Sequence, residues 1–387
     1  MGVVLLSTFF GASQSLAKVD DFWVWQPEPG GIKYLIPKRP GENPSKFVQN
    51  YMRNLRSSRV YGTMENAQFV RLSSAPNTFS TLPPSSREHP NVQVVLNKPD
   101  QMVDGVRRMQ TDSGSGVSAM TTVNRPYAKT AISSFEKEGP RLYAIPAGLE
   151  TVMNPQDMNQ WRKKLNSMDG QFGVGGDDAH PRTWGQADAS QALGDISVER
   201  DLAQTAYMKE YLANGKGRVF YVCGSFQRAA IADGHGFHAD IEHLGAGPQR
   251  GVAGPILLEV VAEPGSEVAI AADSNRFVTS NYHHAAVDAV QPQSGRMPSS
   301  TITAYGVNPD GSRGPIVKSI TFKDNAGFGT QFHPEFRGSP EEANIVKYVA
   351  TGWGMRGRYS PSAVVKCMER SLSKMSNFES GGGGVAP

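Results

Sequence analysis

Val219-Phe220-Tyr221-Val222-Cys223-Gly224-Ser225-Phe226-Gln227 is an apolar run that stops abruptly on a cysteine and a glycine. Four apolar residues behind Gly215 and Gly217 read as a short buried strand. The preceding segment, Val198 to Asn214, has the spacing of a long amphipathic helix ending at Gly215. Cys223 therefore stands where a strand gives way to a turn. In a parallel sheet, ligands bind beyond the carboxyl ends of the strands. A nucleophile on such an elbow projects into that space, beside the free N–H groups of the next helix. Those groups lower a thiol pKa and can hold an oxyanion. The same position also suits a small buried core residue, so the rest of the chain has to decide between the two.

Outward from this point the chain alternates strands and helices. Val92 to Leu96 reads as a strand and Tyr127 to Glu138 as a helix ending at Gly139. Leu142 to Ile145 is a strand closed by Pro146, and Gln171 to Val174 is another. Asn154 before Pro155 predicts a capped helix from Pro155 to Leu165. Gly114 to Met120 is a competing strand candidate near the start of the series. Helices between short apolar strands imply a mostly parallel α/β sheet sandwiched by helices. After residue 255 the pattern turns to strands, over Pro255–Val261, Val268–Ala271, Ile302–Tyr305 and Val317–Phe322. The tail from Ser376 onward, with the glycine run Gly381 to Gly384, reads as mobile.

Residues 18–90 read as an N-terminal extension and linker. Phe22 to Trp25 and Ile32 to Ile36 make a candidate hairpin, and Phe47 to Leu55 a candidate helix. Residues 73–90 are rich in Ser and Pro. The organisation expected is a leader at 1–17, the extension at 18–90, an enzyme domain at 91–358 and a C-terminal tail at 359–387. The leader rests on the apolar run Val3 to Phe10, with Ser15-Leu16-Ala17 fitting a signal-peptidase site. No Lys or Arg precedes the run. Export to the periplasm or outside the cell is the expectation; a trimmed start or a buried strand, in a cytoplasmic protein, is the alternative.

Composition narrows the class. The 387 residues are 39% hydrophobic and 19% charged, which excludes a disordered chain and a multi-span membrane protein. Lys+Arg 39 against Asp+Glu 36 leaves +3, too small an excess to mark a nucleic-acid binder. Two cysteines, Cys223 and Cys367, exclude a disulfide scaffold and a thiolate zinc site, and leave one bridge open.

A second constellation lies at Thr330-Gln331-Phe332-His333-Pro334-Glu335-Phe336. In an extended segment, a His and a carboxylate two residues on point the same way. That suits a base oriented by an acid, as a nucleophile–His–acid triad requires. Taken alone, the triplet is also compatible with a structural turn. Further segments fall in order: GGDDAHPRTWG from Gly175, Arg200-Asp201, Cys223 with Gln227, Asp233-Gly234 with His238 to Ile241, Tyr282-His283-His284, and Asp310-Gly311. With these, residues 91–358 resemble the class I glutamine amidotransferase-like family, most nearly its γ-glutamyl hydrolase branch, the γ-glutamyl-γ-aminobutyrate hydrolases.

The resemblance implies a flavodoxin-like fold and a cysteine-dependent hydrolase of γ-glutamyl amide or isopeptide bonds. Cys223 would be the nucleophile, His333 the base and Glu335 its orienting acid. Gly175, Gly176 and Gly224 would supply the oxyanion hole. Gln227, Asn281, Tyr282 and His283 would hold the glutamyl head group. No cofactor or metal is implied. The partner is a small-molecule or peptide γ-glutamyl substrate, with no nucleic acid and no membrane span, and a homodimer is left open. A glutaminase subunit feeding ammonia to a partner, or a binding protein that keeps the fold, are the alternatives. The chain departs from the family at several points. Tyr221 and Ser225 occupy the two usual glycine positions of the elbow. Gln204 replaces a common Glu, Ser280-Asn281 stands where Asn-Ser is usual, and Ala285 follows the His pair.

Other clusters read more plainly. His235, His238 and His243, with Asp240 and Glu242, lack the spacing of a zinc site. His283 and His284, adjacent on a strand, would face opposite ways. Asp177-Asp178 suits a turn. Gly173-x-Gly175-Gly176 lacks the Lys and Ser/Thr of a phosphate loop. Trp23, Trp25 and Trp353 read as core or docking residues.

Overall fold

A computed structural model describes residues 21–60, 77–96, 106–109, 121–124, 127–176, 178–185, 198–245, 247–249, 254–289 and 297–380. The leader expected at 1–17, the Gly114–Met120 strand candidate, Asp177 and the glycine run lie outside the described residues. The strands are β1 (Asp21–Gln26), β2 (Tyr34–Lys38), β3 (Thr78–Thr81), β4 (Asn91–Val95), β5 (Val106–Met109), β6 (Thr121–Asn124), β7 (Arg141–Ile145) and β8 (Gly170–Gly173). They continue as β9 (Arg218–Val222), β10 (Gly236–His238), β11 (Ile256–Ala262), β12 (Arg276–Asn281), β13 (Ala286–Asp288), β14 (Thr301–Val307), β15 (Arg313–Phe322) and β16 (Gly327–Thr330). The helices are α1 (Pro44–Ser57), α2 (Tyr127–Glu136), α3 (Pro155–Leu165), α4 (Val198–Asn214), α5 (Gly224–Asp233), α6 (Glu267–Ala272), α7 (Pro340–Gly354) and α8 (Pro361–Ser380).

Twelve strands form one sheet in the order β12-β11-β14-β15-β16-β9-β8-β4-β7-β2-β1-β3. The middle six, from β16 to β2, are parallel to one another, and both flanks are antiparallel. Every residue of β4, β8 and β9 is buried, as expected of parallel strands covered on both faces. The helices pack in two groups: α2, α6, α7 and α8 in one, α3, α4 and α5 in the other. Phe172 and Phe220, on adjacent strands, stack with rings 6.2 Å apart, and Trp353 of α7 closes over Phe172 and Phe135. Trp25 and Trp353 are fully buried, as the sequence suggested.

Local signals fixed many boundaries. The Asn154 side chain accepts from Asp157 N at 2.8 Å and starts α3 where expected. The hairpin of β1 and β2 forms, but it is not set apart from the remaining sheet. β2 pairs with β7, and β1 carries β3 on its other edge. The apolar side chains of the extension join the same core as those of the central strands.

One strand expectation is corrected. Val268–Ala271 is not a strand but most of helix α6, capped by Ser266, whose hydroxyl accepts from Ala269 N at 3.4 Å. A four-residue apolar run has no periodicity to separate strand from buried helix, and the Ser266 cap decides it. The segment from Ser376 is helical through Ser380 as the end of α8. Val364 and Cys367 bury the first half of that helix against the protein. Both cysteines are free thiols. Among the described residues, no helix is long and apolar enough to cross a membrane.

Candidate active site

β9 lies between β16 and β8 in the middle of the parallel region, and Cys223 is the first residue past its carboxyl end. Its φ of 48° and ψ of −115° place a non-glycine residue in a strained turn, a conformation that costs about 1–3 kcal/mol. Two hydrogen bonds hold it there. Cys223 N donates to Thr330 O at 2.8 Å, and Gln227 N donates to Cys223 O at 2.9 Å as the first bond of α5.

The glycines missing from the elbow are found beside it. Tyr221 is paired with Gly173 on one side and Gly329 on the other. A Cβ on Gly173 would lie 2.7 Å from Ser225 Cβ and 2.8 Å from Tyr221 Cδ1. One on Gly329 would lie 2.8 Å from Phe226 Cδ2. The bulk of Tyr221 and Ser225 thus fits because both neighbouring strands give way. Ser225 Oγ then donates to Val174 O at 2.6 Å, and the Tyr221 hydroxyl donates to Gln171.

His333 follows β16 and enters the one-turn 3-10 segment Pro334–Phe336, rather than an extended strand. The short turn still brings the pair together: His333 Nδ1 is 2.8 Å from Glu335 Oε1. With Nδ1–H donated to the carboxylate, Nε2 is the nitrogen left for chemistry. It is buried, and no group among the described residues meets hydrogen-bond geometry with it. Cys223 is its neighbour: a Cβ on Gly175 would lie 2.9 Å from His333 Cε1 and 3.2 Å from Cys223 Cβ at once. Burial works against a charged imidazole, but Glu335 and then Cys223 outweigh it and raise His333 to about 10. The arrangement favours an imidazolium at His333.

Tyr127, at the first position of α2, is the residue the sequence reading missed. Its hydroxyl donates to Glu335 Oε1 at 2.6 Å, lies 3.0 Å from His333 Nδ1, and accepts from Gly175 N at 3.1 Å. Burial, followed by Glu335 and Cys223, pushes its pKa well above the usual value, so it stays a donor. No local pattern marks a tyrosine 206 residues from the histidine it meets. The same contact engages the Gly175 N–H, expected as an oxyanion donor. Gly224 is buried at the start of α5, and Gly176 is exposed at the rim.

The 281–283 segment reaches the cleft by its backbone: Cys223 Sγ is 4.0 Å from Tyr282 O. The flanking side chains turn inward instead. Asn281 donates to Thr279 O and Oγ1, and His283 Nδ1 lies 2.9 Å from Ala285 O. Gln227 Nε2 donates to Ala285 O at 3.1 Å and to Gln331 Oε1 at 3.2 Å; Gln331 Nε2 in turn donates to Cys223 Sγ at 3.8 Å. Of the four residues expected to hold a head group, Asn281, His283 and Gln227 spend these donors within the protein. Tyr282 is the half-buried one.

Residues 120–335, more than half of the chain, match the family model Peptidase C26. The chain belongs to the Peptidase C26 family. It has the class I glutamine amidotransferase-like fold, a mostly parallel sheet with flanking helices, and membership supports a cysteine-dependent amidohydrolase. Among solved structures, it is similar to a GMP synthase subunit from Thermoplasma acidophilum. That match has 12% identity and a TM-score of 0.42, over 68% of this chain and 94% of that one. It is also similar to the Trypanosoma brucei CTPS glutaminase domain with bound acivicin. There the identity is 18% and the TM-score 0.42, over 70% of this chain and 95% of that one. No curated protein matches the chain.

In this Peptidase C26 chain the remaining motif residues hold the elbow in place. Asp201 forms a buried ion pair with Arg228 of α5, at 2.8 Å to Nε and 2.7 Å to Nη2. Asp201 also accepts from His180 N, while Arg228 donates to Gly224 O and Asp178 O. One ion pair thereby ties α4, α5 and the loop after β8. His284 pairs with Asp178 at 2.9 Å. His235 meets Ser300 Oγ at 2.8 Å, and His238 meets Asp288 at 3.4 Å.

Proposed function

We propose that this protein hydrolyses γ-glutamyl amide or isopeptide bonds through a γ-glutamyl thioester on Cys223. The observation that carries the reading is a strained strand-to-helix cysteine beside a buried His333–Glu335 pair. Cys223 attacks the γ-carbonyl as the thiolate, with its proton held on His333 Nε2. Glu335 keeps the imidazole oriented through Nδ1, and Tyr127 steadies Glu335. The N–H of Gly224, at the open end of α5, is the donor proposed for the oxyanion, with Gly176 across the cleft. His333 then protonates the leaving amine and the C–N bond breaks; water, giving a proton to the now neutral His333, attacks the thioester carbon, the C–S bond breaks, and free glutamate leaves.

Labelling by an electrophilic glutamine analogue tests the reading. Stoichiometric modification of Cys223, slowed by free γ-glutamyl amides, is the expected result. A folded protein whose Cys223 reacts no faster than Cys367 would instead fit a binding protein that keeps the fold.

A further inference from the structure

Lys318 is a lysine in the middle of an apolar strand, IVKSITF of β15, and its side chain is fully buried. Three neutral acceptors surround Nζ: Gln249 Oε1 at 2.7 Å, His283 Nε2 at 2.9 Å, and Asn281 Oδ1. His283 Nδ1 faces the carbonyl of Ala285, so its proton sits there and Nε2 must accept. Three acceptors match the three hydrogens of an ammonium; a neutral amine would offer two. The cluster is built for a positive charge, yet no carboxylate is among the described partners of Nζ.

The cluster borders the nucleophile on two sides. Asn281 and His283 flank Tyr282, whose carbonyl lies 4.0 Å from Cys223 Sγ. On the other side, Lys318 O accepts from the backbone N of Gln331, whose side chain donates to the same sulfur.

We propose that Lys318 is a positioning residue whose buried ammonium supplies the positive charge that keeps the Cys223 sulfur a thiolate. This rests on the reading of Cys223 as the nucleophile. The charges add up accordingly. Thiolate, imidazolium and the Glu335 carboxylate leave one negative charge in a buried site, and Lys318 neutralises it. Burial pushes Lys318 down to about 7, and the Cys223 sulfur is the charge that pulls it back up. His333 and Tyr127 face Cys223. His283 is held neutral, its pKa lowered by burial first and then by Lys318, His333 and His284. Glu342, behind Ser280, is raised to about 7 by burial, with a smaller push from Glu335.

Alkylation of Cys223 tests this without any substrate. Rates with neutral iodoacetamide are followed against pH, and rates with anionic iodoacetate are compared with them. K318M and K318Q remove the charge, and K318Q keeps a hydrogen-bond donor. K318R keeps the charge. Circular dichroism and thermal melts select the folded variants. The expected result is that the alkylation midpoint rises by about one pH unit in K318M or K318Q. The iodoacetate-to-iodoacetamide ratio falls several-fold in the same variants, while K318R stays near the parent on both. An unchanged midpoint in the charge-removing variants, or an equal shift in K318R, overturns the proposal. If the midpoint shifts as expected but no γ-glutamyl bond is cleaved, the charge role stands and the substrate reading falls.

Discussion

Gly173→Ala probes the way this elbow tolerates Tyr221 and Ser225. The added methyl would sit 2.7 Å from Ser225 Cβ, 2.9 Å from Ser225 Oγ and 2.8 Å from Tyr221 Cδ1. Ordinary carbon contacts need about 3.5–4.0 Å, so two fully buried side chains, one on β9 and one on α5, must move by more than half an ångström. Overpacking of this kind costs about 1–3 kcal/mol. The partner change Ser225→Gly removes two of the three close atoms. Alone it costs the Ser225–Val174 hydrogen bond, about 0.5–1.5 kcal/mol, plus about 0.5–1 kcal/mol for glycine in a helix. In the double variant the clash largely disappears, so the two costs should fall short of additive by at least about 1 kcal/mol. Urea unfolding of the parent, both single variants and the pair measures this coupling. Iodoacetamide rates at Cys223 report whether the elbow itself has shifted. Gly173→Ala losing less than about 0.5 kcal/mol, or strictly additive costs, would show that Gly173 is not what makes room for Ser225.

Three further outcomes follow from the same geometry. His333 is raised to about 10 in the folded protein, so its share of stability is complete below its unfolded value of about 6.5. That share is lost as pH climbs through about 10; His333→Gln should flatten this part of the stability–pH curve, and an identical slope in parent and variant would contradict it. Asp201→Asn leaves Arg228, 2% exposed, without its counter-charge, and should cost about 3–5 kcal/mol in denaturant unfolding; a loss below about 1 kcal/mol would mean the pair is dispensable. Tyr127→Phe deletes a donor to a carboxylate, an interaction worth about 1.5–3 kcal/mol, and should lower kcat about 10- to 100-fold with little change in KM; a pure KM effect would place Tyr127 in substrate binding instead.

The parallel core was legible because its signals are local. Buried strands such as β9 carry an unbroken apolar run, VFYV over 219–222, and Asn154-Pro155 announces a helix start. Val268–Ala271 was not legible, because a short apolar run looks the same in a helix and in a strand until the cap is seen. The extension read as separate for a related reason. The pairing of β2 with β7 joins Tyr34 to Ala144, and nothing in either segment points to the other. At the candidate site, short motifs pointed to Cys223, His333 and Glu335, which the fold brings together. No motif pointed to Tyr127 or Lys318, since their contacts lie far away in sequence. The departures at Tyr221 and Ser225 looked like damage to the elbow; compensation by Gly173 and Gly329 appears only once the strand register is known.

The central claim is that Cys223 cleaves γ-glutamyl bonds. The most direct measurement is glutamate release from a panel of γ-glutamyl amides and short γ-glutamyl peptides, run beside Cys223→Ala. The account predicts release from at least one member of the panel that vanishes in the variant. Release that persists in Cys223→Ala, or none from any member with a folded parent protein, would contradict it.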